Sequence, residues 1–473
     1  MGGDPVSGRP PHVRPPELPP ARRGRGPRSP LRMGVIAVAV VPTVALVVVL
    51  LLRPATPPGS VAGAASSFPS TQAPGATTEL GLSASGSLGS TSAPTSTSSS
   101  APAPVPTPAA PTPSPTPGVP GVELQARLDT LRKKLAIPGV SVAILWDDGR
   151  RWLGASGMAD IKARAPMTTG TGFAFASISK TFTAAVILQL VEEGKLKLDQ
   201  RVAPLLPEFD LDPRMTIRQL LDHTSGLPDY FLNAKIDRPL QADPGATWTV
   251  EQAWAYVKKK HPAPGNLWMY SNANYLLLGR LVEEVTGRPL AVEIRERLLD
   301  PLGLDTAWYQ VVEKPRAKGA MGYRLRPTSG GGVIPSPVAR RSDVMPFRSV
   351  VSAAGGAGSI AGTALDAALW MHAYAAGSVL SPATRRLQLE DVARTKALGA
   401  RKPYGLGIQA VPVAGHPALG HSGRFLGFRN VARYLTDEGI TIAVLTNQGV
   451  KDPAKIADAL VKIILPPGPT VSP

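Results

Sequence analysis

The chain has 473 residues, 51 prolines, no cysteine and a formal charge of +17. The lack of cysteine excludes disulfides, thiolate zinc sites, iron–sulfur clusters and a cysteine nucleophile. Such a charge is typical of nucleic-acid-binding proteins, but no DNA- or RNA-binding motif accompanies it. We therefore expect a basic surface suited to an anionic cell envelope and no nucleic-acid partner.

The first 52 residues predict a membrane anchor. Residues 34–52 form a run of 19 residues without a charge, which is long enough to cross a bilayer as a helix. Seven arginines precede this run, whereas no lysine or arginine lies between Arg53 and Arg127. The positive-inside rule therefore predicts a cytoplasmic tail over 1–33, a single transmembrane helix over 34–52 and an extracytoplasmic location for the rest of the chain.

The apolar run has two other interpretations. It resembles the hydrophobic part of a signal peptide, because Ala62-Gly63-Ala64 is typical of a processing site, and cleavage there would release the protein. A helix buried in a protein core is disfavoured by flanks rich in Arg and Pro on one side and in Pro, Ser and Thr on the other. Beyond the run, residues 53–120 predict a disordered Pro/Ser/Thr-rich linker, and 467–473 form a short tail.

Residues 121–466 have the periodicities of a folded domain. Leucines at helical spacing predict a first helix that ends before Pro138. Two strand-like runs, 139–147 and 150–160, then predict a hairpin. A helix-rich stretch follows from Ser177 to about Leu302. The remaining predicted elements are strands over 404–413, 416–425, 429–435 and 439–447, and a final helix that begins at a capping Asp452.

This order of elements predicts the fold class. Strands at both ends of the domain enclose a helical middle, so we expect an α/β fold of the α+β type. One antiparallel sheet would be built from both ends of the domain and flanked by helices, with a mostly helical lobe inserted between those ends. The cleft between the sheet and the lobe is where we expect a functional site.

The first candidate catalytic residues are Ser177 and Lys180, in the segment FAFASISKTF. Because they lie three residues apart at the start of a predicted helix, their side chains share one face. A serine hydroxyl becomes a nucleophile when a neighbouring base removes its proton, and a lysine can be that base when burial lowers its pKa. Ser-x-x-Lys is a weak signal alone, because a helix cap followed by a solvated lysine gives the same pattern.

Two further motifs follow in order, Tyr270-Ser271-Asn272 and His421-Ser422-Gly423. Together with the Ser177 motif they make the sequence resemble the serine β-lactamase and D-alanyl-D-alanine carboxypeptidase superfamily, in particular the branch of class C β-lactamases and serine carboxypeptidase-like esterases. The resemblance covers about 121–466. It includes framework segments over 220–230, 298–309 and 357–374.

The resemblance implies a role for each motif. Ser177 would form an acyl-enzyme, with Lys180 and Tyr270 moving the proton. Backbone N–H groups of Ser177 and Arg424 would form an oxyanion hole. The implied substrate-binding residues are Asn272, His421, Ser422 and Gly423. The resemblance implies no metal or organic cofactor, a small-molecule or peptide substrate and no obligate protein partner.

The predicted function is a serine hydrolase that acts on an amide or ester, either a D-alanyl peptide of the cell wall or a simple ester. The alternatives are a true β-lactamase that hydrolyses antibiotics and a non-catalytic, wall-tethered binding module. The second motif is Tyr-Ser-Asn rather than Ser-Asp-Asn, which disfavours a class A β-lactamase. The third motif begins with His421 instead of lysine, which is more similar to carboxypeptidases and esterases of the superfamily.

The histidines give further expectations about protonation, structure and metal binding. The ordinary pKa of histidine lies near neutrality, so His421 predicts an activity that changes between about pH 5.5 and 7.5. Positive charge on Lys180 and His421 is expected to lower the pKa of Tyr270, as a phenolate base requires. His223 is interpreted as a buried structural residue. The six histidines lack metal-ligand spacing, which excludes a metallo-β-lactamase.

Overall fold

The computed structural model of the chain describes residues 118–328, 333–339 and 343–466. The predicted tail 1–33, the predicted transmembrane helix 34–52, nearly all of the predicted linker and the predicted tail 467–473 lie outside the described residues. Among the helices of the described part, none has both the length and the hydrophobicity that a membrane span needs.

Helices and strands alternate in blocks along the described residues. The α-helices are α1 (Gly121–Lys134), α2 (Ser179–Glu192), α3 (Ile217–Leu221), α4 (Asp237–Ala242), α5 (Val250–Trp254), α6 (Asn272–Thr286), α7 (Leu290–Ile294), α8 (Arg348–Ala354), α9 (Ala364–His372), α10 (Pro382–Ala397) and α11 (Ala454–Ile464). The strands are β1 (Gly139–Trp146), β2 (Arg151–Asp160), β3 (Ala165–Pro166), β4 (Phe173–Ala174), β5 (Trp308–Tyr309), β6 (Tyr323–Pro327), β7 (Val333–Pro337), β8 (Ile360–Gly362), β9 (Gln409–Ala410), β10 (Ala418–Phe425), β11 (Phe428–Leu435) and β12 (Ile440–Thr446).

The main sheet joins the two ends of the domain. Its seven strands have the order β3-β2-β1-β12-β11-β10-β9, and neighbouring strands are antiparallel. Strand β1 pairs with β12, for example at Val142 and Val444, so residues about 300 positions apart in sequence are neighbours. The mixed α/β fold with an antiparallel sheet built from both ends is confirmed. The middle of the domain contains helices together with two small sheets, one of strands β4-β8-β5 and one of β6-β7.

Both faces of this sheet are buried. On one face, Val142 of β1 and Val444 of β12 belong to a cluster with Leu128 of α1 and Leu460 of α11. On the other face, alternating residues such as Ala143 pack into the larger core with helices α2, α6 and α9. The central strands are therefore apolar on both sides, as expected when helices cover both faces of a sheet. Strands β10 and β9 form one edge of the sheet.

Some predicted element boundaries differ from the observed ones. The strand predicted over 404–413 is wrong for most of its length, because only Gln409–Ala410 forms a strand. Gly405 approaches α10 so closely that a Cβ there would lie 2.1 Å from the Gln388 carbonyl oxygen, and Gly407 has a φ of +76°. These two glycines turn the segment against the helical lobe. The final helix begins at Ala454, with Asp452 accepting a hydrogen bond from its N–H.

Helices α2 and α9 contact each other through a stack of aromatic rings. Trp370 is fully buried, and its ring lies 3.9 Å from that of Phe182 at an angle of 14°. The Trp370 indole N–H donates to Thr181 Oγ1 at 2.6 Å, and that hydroxyl donates to the Ile178 carbonyl oxygen at 2.7 Å. Trp370 therefore supports the first turn of α2 by both packing and hydrogen bonding.

We predict that Trp370→Ala destabilises the protein by about 3–5 kcal/mol, because it leaves a large cavity and removes the hydrogen bond to Thr181. The neighbouring substitution Leu369→Ala is a matched control, since Leu369 is 36% exposed on the same helix, and should change stability by less than about 0.5 kcal/mol. Denaturant unfolding of both variants measures the difference. Equal losses of stability in the two variants would contradict this role of Trp370.

Candidate active site

Ser177 lies in a strained turn at the edge of the sheet. Residues 176–178 form a single 3-10 turn that leads into α2, so the helix starts two residues later than predicted. Ala176 has a φ of +52°, in the left-handed region that L residues rarely adopt. Asn430 of β11 donates to the Ala174 carbonyl oxygen at 2.7 Å, which ties this segment to the sheet. The surrounding contacts therefore fix the backbone of Ser177.

Three segments of the chain meet at Lys180, whose side chain is fully buried. The ammonium nitrogen Nζ lies 3.2 Å from Ser177 Oγ, 2.7 Å from Asn272 Oδ1 and 2.9 Å from the Ala357 carbonyl oxygen. Helix α2 carries Lys180, the first residue of α6 is Asn272, and Ala357 ends the short turn before β8. The structure thus brings the first and second sequence motifs together.

Burial destabilises the charged form of Lys180. Desolvation lowers the pKa of Lys180 from 10.5 to about 7, and the negative charge of Asp229 opposes this change. A neutral amine has two N–H bonds and one lone pair. Because Asn272 Oδ1 and the Ala357 carbonyl oxygen can only accept hydrogen bonds, they take the two N–H groups. The lone pair then points to the remaining neighbour, the Ser177 hydroxyl.

Tyr270 lies beside the same amine but keeps its proton. Its ring centroid is 5.1 Å from Lys180 Nζ, and its ring packs against the imidazole of His223 at 4.3 Å. The phenolic oxygen is buried and has no hydrogen-bond partner among the described residues. Burial raises the pKa of Tyr270 above its ordinary value, although the nearby Ser177 hydroxyl opposes the rise. The expectation that positive charge lowers this pKa is therefore wrong, because desolvation dominates.

His421 also has a different protonation state from the one expected. The ring is fully buried on β10, with Nε2 lying 2.9 Å from the Tyr404 hydroxyl and Nδ1 lying 2.7 Å from the Ser422 carbonyl oxygen. A carbonyl accepts only, so Nδ1 carries the proton and Nε2 accepts from Tyr404. Burial and the charge of Lys180 hold the pKa of His421 well below its usual range. The predicted titration of His421 near neutrality is wrong, because the buried ring stays neutral there.

His223 is the buried residue that the sequence predicted. Its Nδ1 accepts from the backbone N–H of Ser271 at 3.2 Å and from Asn274 Nδ2 at 3.1 Å. Burial holds the pKa of His223 well below its usual range. The residue supports the Tyr270 loop from behind. Across the described ranges of the chain, no group of three or more His, Asp and Glu residues is arranged to hold a metal ion.

The third motif runs along the edge strand next to the Ser177 turn. A Cβ at Gly423 would lie 2.1 Å from the Phe175 carbonyl oxygen, so only glycine permits this approach of β10. Ser422 Oγ donates to Gln409 Oε1 at 3.3 Å, and the side chain of Arg424, the next residue after Gly423, is half-buried. The oxyanion-hole role of the Ser177 and Arg424 N–H groups stays a prediction.

Sequence reasoning missed two residues of this site. Asp229 is 7% exposed and accepts a hydrogen bond from Asn272 Nδ2 at 2.8 Å. Tyr404 contributes the hydroxyl that bonds His421. Asp229 lies inside the framework segment 220–230, where an acidic residue between Leu-Pro and Tyr-Phe is an unusual neighbour for apolar side chains. That contrast was the available signal for Asp229. No local pattern indicates Tyr404.

Several known proteins are similar to this chain in sequence or in fold. The family model described as "Beta-lactamase" matches residues 124–465. Penicillin-binding protein 4 of Amycolatopsis lactamdurans is 31% identical over 340 residues, which are 69% of this chain and 85% of that protein. A D-aminopeptidase of Cereibacter sphaeroides is 30% identical over 331 residues, 68% of this chain and 59% of that protein. A solved D-stereospecific amidohydrolase from Streptomyces sp. superposes with a TM-score of 0.60 at 26% identity, covering 72% of this chain and 97% of its own.

The lowered pKa of Lys180 predicts how reactivity depends on pH. Phosphonylation of Ser177 by a fluorophosphonate should become faster as the pH rises from 5.5 to 8.5, with a midpoint at about 7, because only the neutral amine accepts the Ser177 proton. His421→Gln should leave this midpoint unchanged. Labelling rates of the full-length chain over this range measure both effects. A flat profile, or a midpoint that moves with His421→Gln, would contradict the assignment to Lys180.

Proposed function

The chain belongs to the β-lactamase family, and on this basis we propose that it is a serine hydrolase that forms an acyl-enzyme at Ser177 and hydrolyses an amide bond of a D-alanyl peptide. The single observation that carries the proposal is the buried Lys180 amine, 3.2 Å from Ser177 Oγ and deprotonated in part at neutral pH. A lysine used only for structure would not need this desolvation next to a serine.

In the acylation step, the Lys180 lone pair takes the Ser177 proton while Oγ forms a bond to the carbonyl carbon of the substrate. The carbonyl oxygen becomes an oxyanion that accepts from the backbone N–H groups of Ser177 and Arg424. Tyr270, which keeps its proton, then donates it to the leaving amine nitrogen as the C–N bond breaks. The Lys180 ammonium returns a proton to Tyr270, which restores both groups.

Deacylation uses the same base in reverse order. A water molecule loses a proton to the neutral Lys180 and attacks the acyl carbon, and the Ser177 Oγ leaves with that proton. This cycle consumes one water per bond and needs no other reactant. A family member that is acylated by a β-lactam but does not deacylate would stay acylated and act as a penicillin-binding protein. Fast deacylation of the β-lactam would instead make it a β-lactamase.

The charges beside the third motif support a substrate with a free carboxylate. Arg433 of β11 is 2% exposed, and its guanidinium donates to Gln409 Oε1 at 2.7 Å. The same Gln409 oxygen accepts from Ser422, so the Arg433 cation is next to the motif. Partial desolvation and the charge of Arg433 lower the pKa of Lys402, which is exposed at the surface, and burial lowers the pKa of Arg424.

These cations outnumber the acidic groups around them. In the described part of the chain, Asp452 is the carboxylate that acts on this cluster, and it forms an ion pair at 3.0 Å with Arg429. An anionic substrate group would compensate the excess positive charge, whereas the α-ammonium of an aminopeptidase substrate would add to it. We therefore favour carboxypeptidase over aminopeptidase activity. The relatives include D-aminopeptidases, but the chain spans only 59% of the length of the D-aminopeptidase compared above.

The amino-terminal sequence, which precedes the β-lactamase match, supports a proposal about where the protein acts. We propose that residues 34–52 anchor the protein in the cytoplasmic membrane with the amino terminus in the cytoplasm, and that the linker 53–120 lets the hydrolase domain act in the cell wall. The charge distribution around the apolar run supports this orientation. Detection of a protease-sensitive hydrolase domain on intact cells would support it.

Mass spectrometry after treatment with a fluorophosphonate or a penicillin tests the nucleophile. In the full-length wild type we expect modification at Ser177, and a Lys180→Ala variant should react at least about 100-fold more slowly, because it has no base for the Ser177 proton. Modification at another residue, or equal rates in the two proteins, would show that the site is not this hydrolase. A wild type that binds substrate without any acylation would indicate the binding module.

Two matched peptides test the substrate class. A peptide that ends in D-Ala-D-Ala with a free carboxylate should be hydrolysed with a lower KM than the same peptide with a terminal amide. Lys402→Gln should raise KM for the free acid at least roughly tenfold while leaving the amide unchanged. Lys396→Gln, at an exposed lysine of α10, is the control and should change neither value. Preference for the amide peptide would refute the carboxylate assignment.

A further inference from the structure

Asp229 is a buried carboxylate behind the proposed base. It precedes the short turn 230–232, and its Oδ1 accepts from the backbone N–H of Phe231 at 3.0 Å. Its Oδ2 accepts from Asn272 Nδ2 at 2.8 Å. Asp229 therefore hydrogen-bonds the side chain that in turn hydrogen-bonds Lys180.

The charge of Asp229 is not balanced by an arginine, unlike that of three other buried acids. Within the described residues, Asp222 forms an ion pair with Arg394, Asp391 with Arg218 and Glu293 with Arg297. Asp229 forms no such pair with an arginine. The cation that acts on it is Lys180, on the other side of the Asn272 amide. A buried carboxylate is costly unless hydrogen bonds and a cation compensate it, so Asp229 depends on Phe231, Asn272 and Lys180.

The hydrogen bonds of Asp229 also decide the orientation of the Asn272 amide. A carboxylate can only accept, so the NH2 group of Asn272 must face Asp229 and its oxygen must face Lys180. If the amide turned over, its NH2 group would face the amine and accept no hydrogen bond from it. The Lys180 lone pair would then be drawn toward Asn272 and away from the Ser177 hydroxyl.

From this geometry we propose that Asp229 is a positioning residue of the hydrolase: it fixes the Asn272 amide, which directs the Lys180 lone pair to Ser177, and its negative charge favours proton uptake by Lys180 from Ser177. The inference rests on the proposed function. It assigns to Asp229 two separable effects, one from its hydrogen bonds and one from its charge.

The charge effect has a definite sign. Burial lowers the pKa of Lys180 and Asp229 partly restores it, while burial raises the pKa of Asp229 itself to about 6. Near pH 7 the carboxylate is thus mostly ionised. Removing its charge should lower the pKa of Lys180 further, so that the neutral amine persists to lower pH. Loss of the hydrogen bonds alone should instead reduce the maximal rate without moving the pH profile.

Three substitutions at Asp229 separate these effects through the pH dependence of fluorophosphonate labelling. Asp229→Asn removes the charge and keeps one acceptor oxygen for Asn272, so its profile should move to lower pH by about one unit with a modest loss of maximal rate. Asp229→Ala removes both and should show the same shift with a maximal rate lower by 10- to 100-fold, on the order expected for misplaced catalytic groups. Asp229→Glu keeps the charge, so its profile should stay in place.

Asp222→Asn is the matched control, because Asp222 is a fully buried carboxylate seven residues earlier that pairs with Arg394. It should lower the thermal stability of the full-length chain and leave the pH profile unmoved. Thermal unfolding of every variant identifies any that does not fold, and Asp229→Glu keeps the inference testable if Asp229→Asn is lost. A profile that moves equally in Asp229→Glu or Asp222→Asn would overturn the proposal, as would an unmoved profile in Asp229→Asn.

Failure of this inference differs from failure of the proposed function. If wild-type Ser177 is not labelled at any pH, the hydrolase itself is excluded and Asp229 has no reaction to support. If wild-type Ser177 is labelled with a midpoint near pH 7 and Asp229→Asn gives the same midpoint, the hydrolase stands and only the role of Asp229 falls.

Discussion

The desolvation of Lys180 is the constraint on which the rest of the site depends. An ammonium group surrounded by protein loses its hydration, and one nearby carboxylate behind an amide does not replace it. The amine therefore releases its proton near neutral pH while two acceptor oxygens continue to hold it in place. In the proposed reaction this makes Lys180 a base, because the amine is fixed in position, is deprotonated in part near pH 7 and has its lone pair directed at its third neighbour, Ser177.

The main sheet fixes the position of Ser177 relative to Lys180 through contacts outside the site. Because β1 and β12 come from opposite ends of the domain, the edge formed by β10 is rigidly connected to the amino-terminal part of the fold. Asn430 and Gly423 bring this edge against the segment that precedes Ser177. The left-handed Ala176 is tolerated there because contacts on both sides determine its conformation. The strained backbone next to the nucleophile is thus held by residues that are far from it in sequence. The site therefore requires the complete domain.

Local patterns predicted those parts of the fold that local forces determine. The hairpin of β1 and β2 follows from alternating apolar residues and a Gly-containing turn, and α6 follows from its helical periodicity and the Gly287 that ends it. The segment 404–413 was predicted as a strand, yet Gly405 fits it against α10 and Gly407 fits it against Ala184 of α2. The motif residues were found because they have a recognisable spacing. Their protonation states were not predicted correctly, because tertiary packing buries His421 and Tyr270, and the spacing of a motif does not show which of its residues are buried.

The protonation states also favour one of the two candidate groups as the base of the proposed reaction. Tyr270 and Lys180 are neighbours, and either could accept the Ser177 proton if burial affected both alike. Burial acts in opposite directions on the two, because it disfavours the phenolate and favours the neutral amine. In the proposed reaction, Tyr270 is therefore the proton donor and Lys180 the acceptor, so the proton passes from Ser177 to the amine and from the phenol to the leaving group. A single low-dielectric environment thereby prepares an acid and a base side by side, and neither requires a charged histidine.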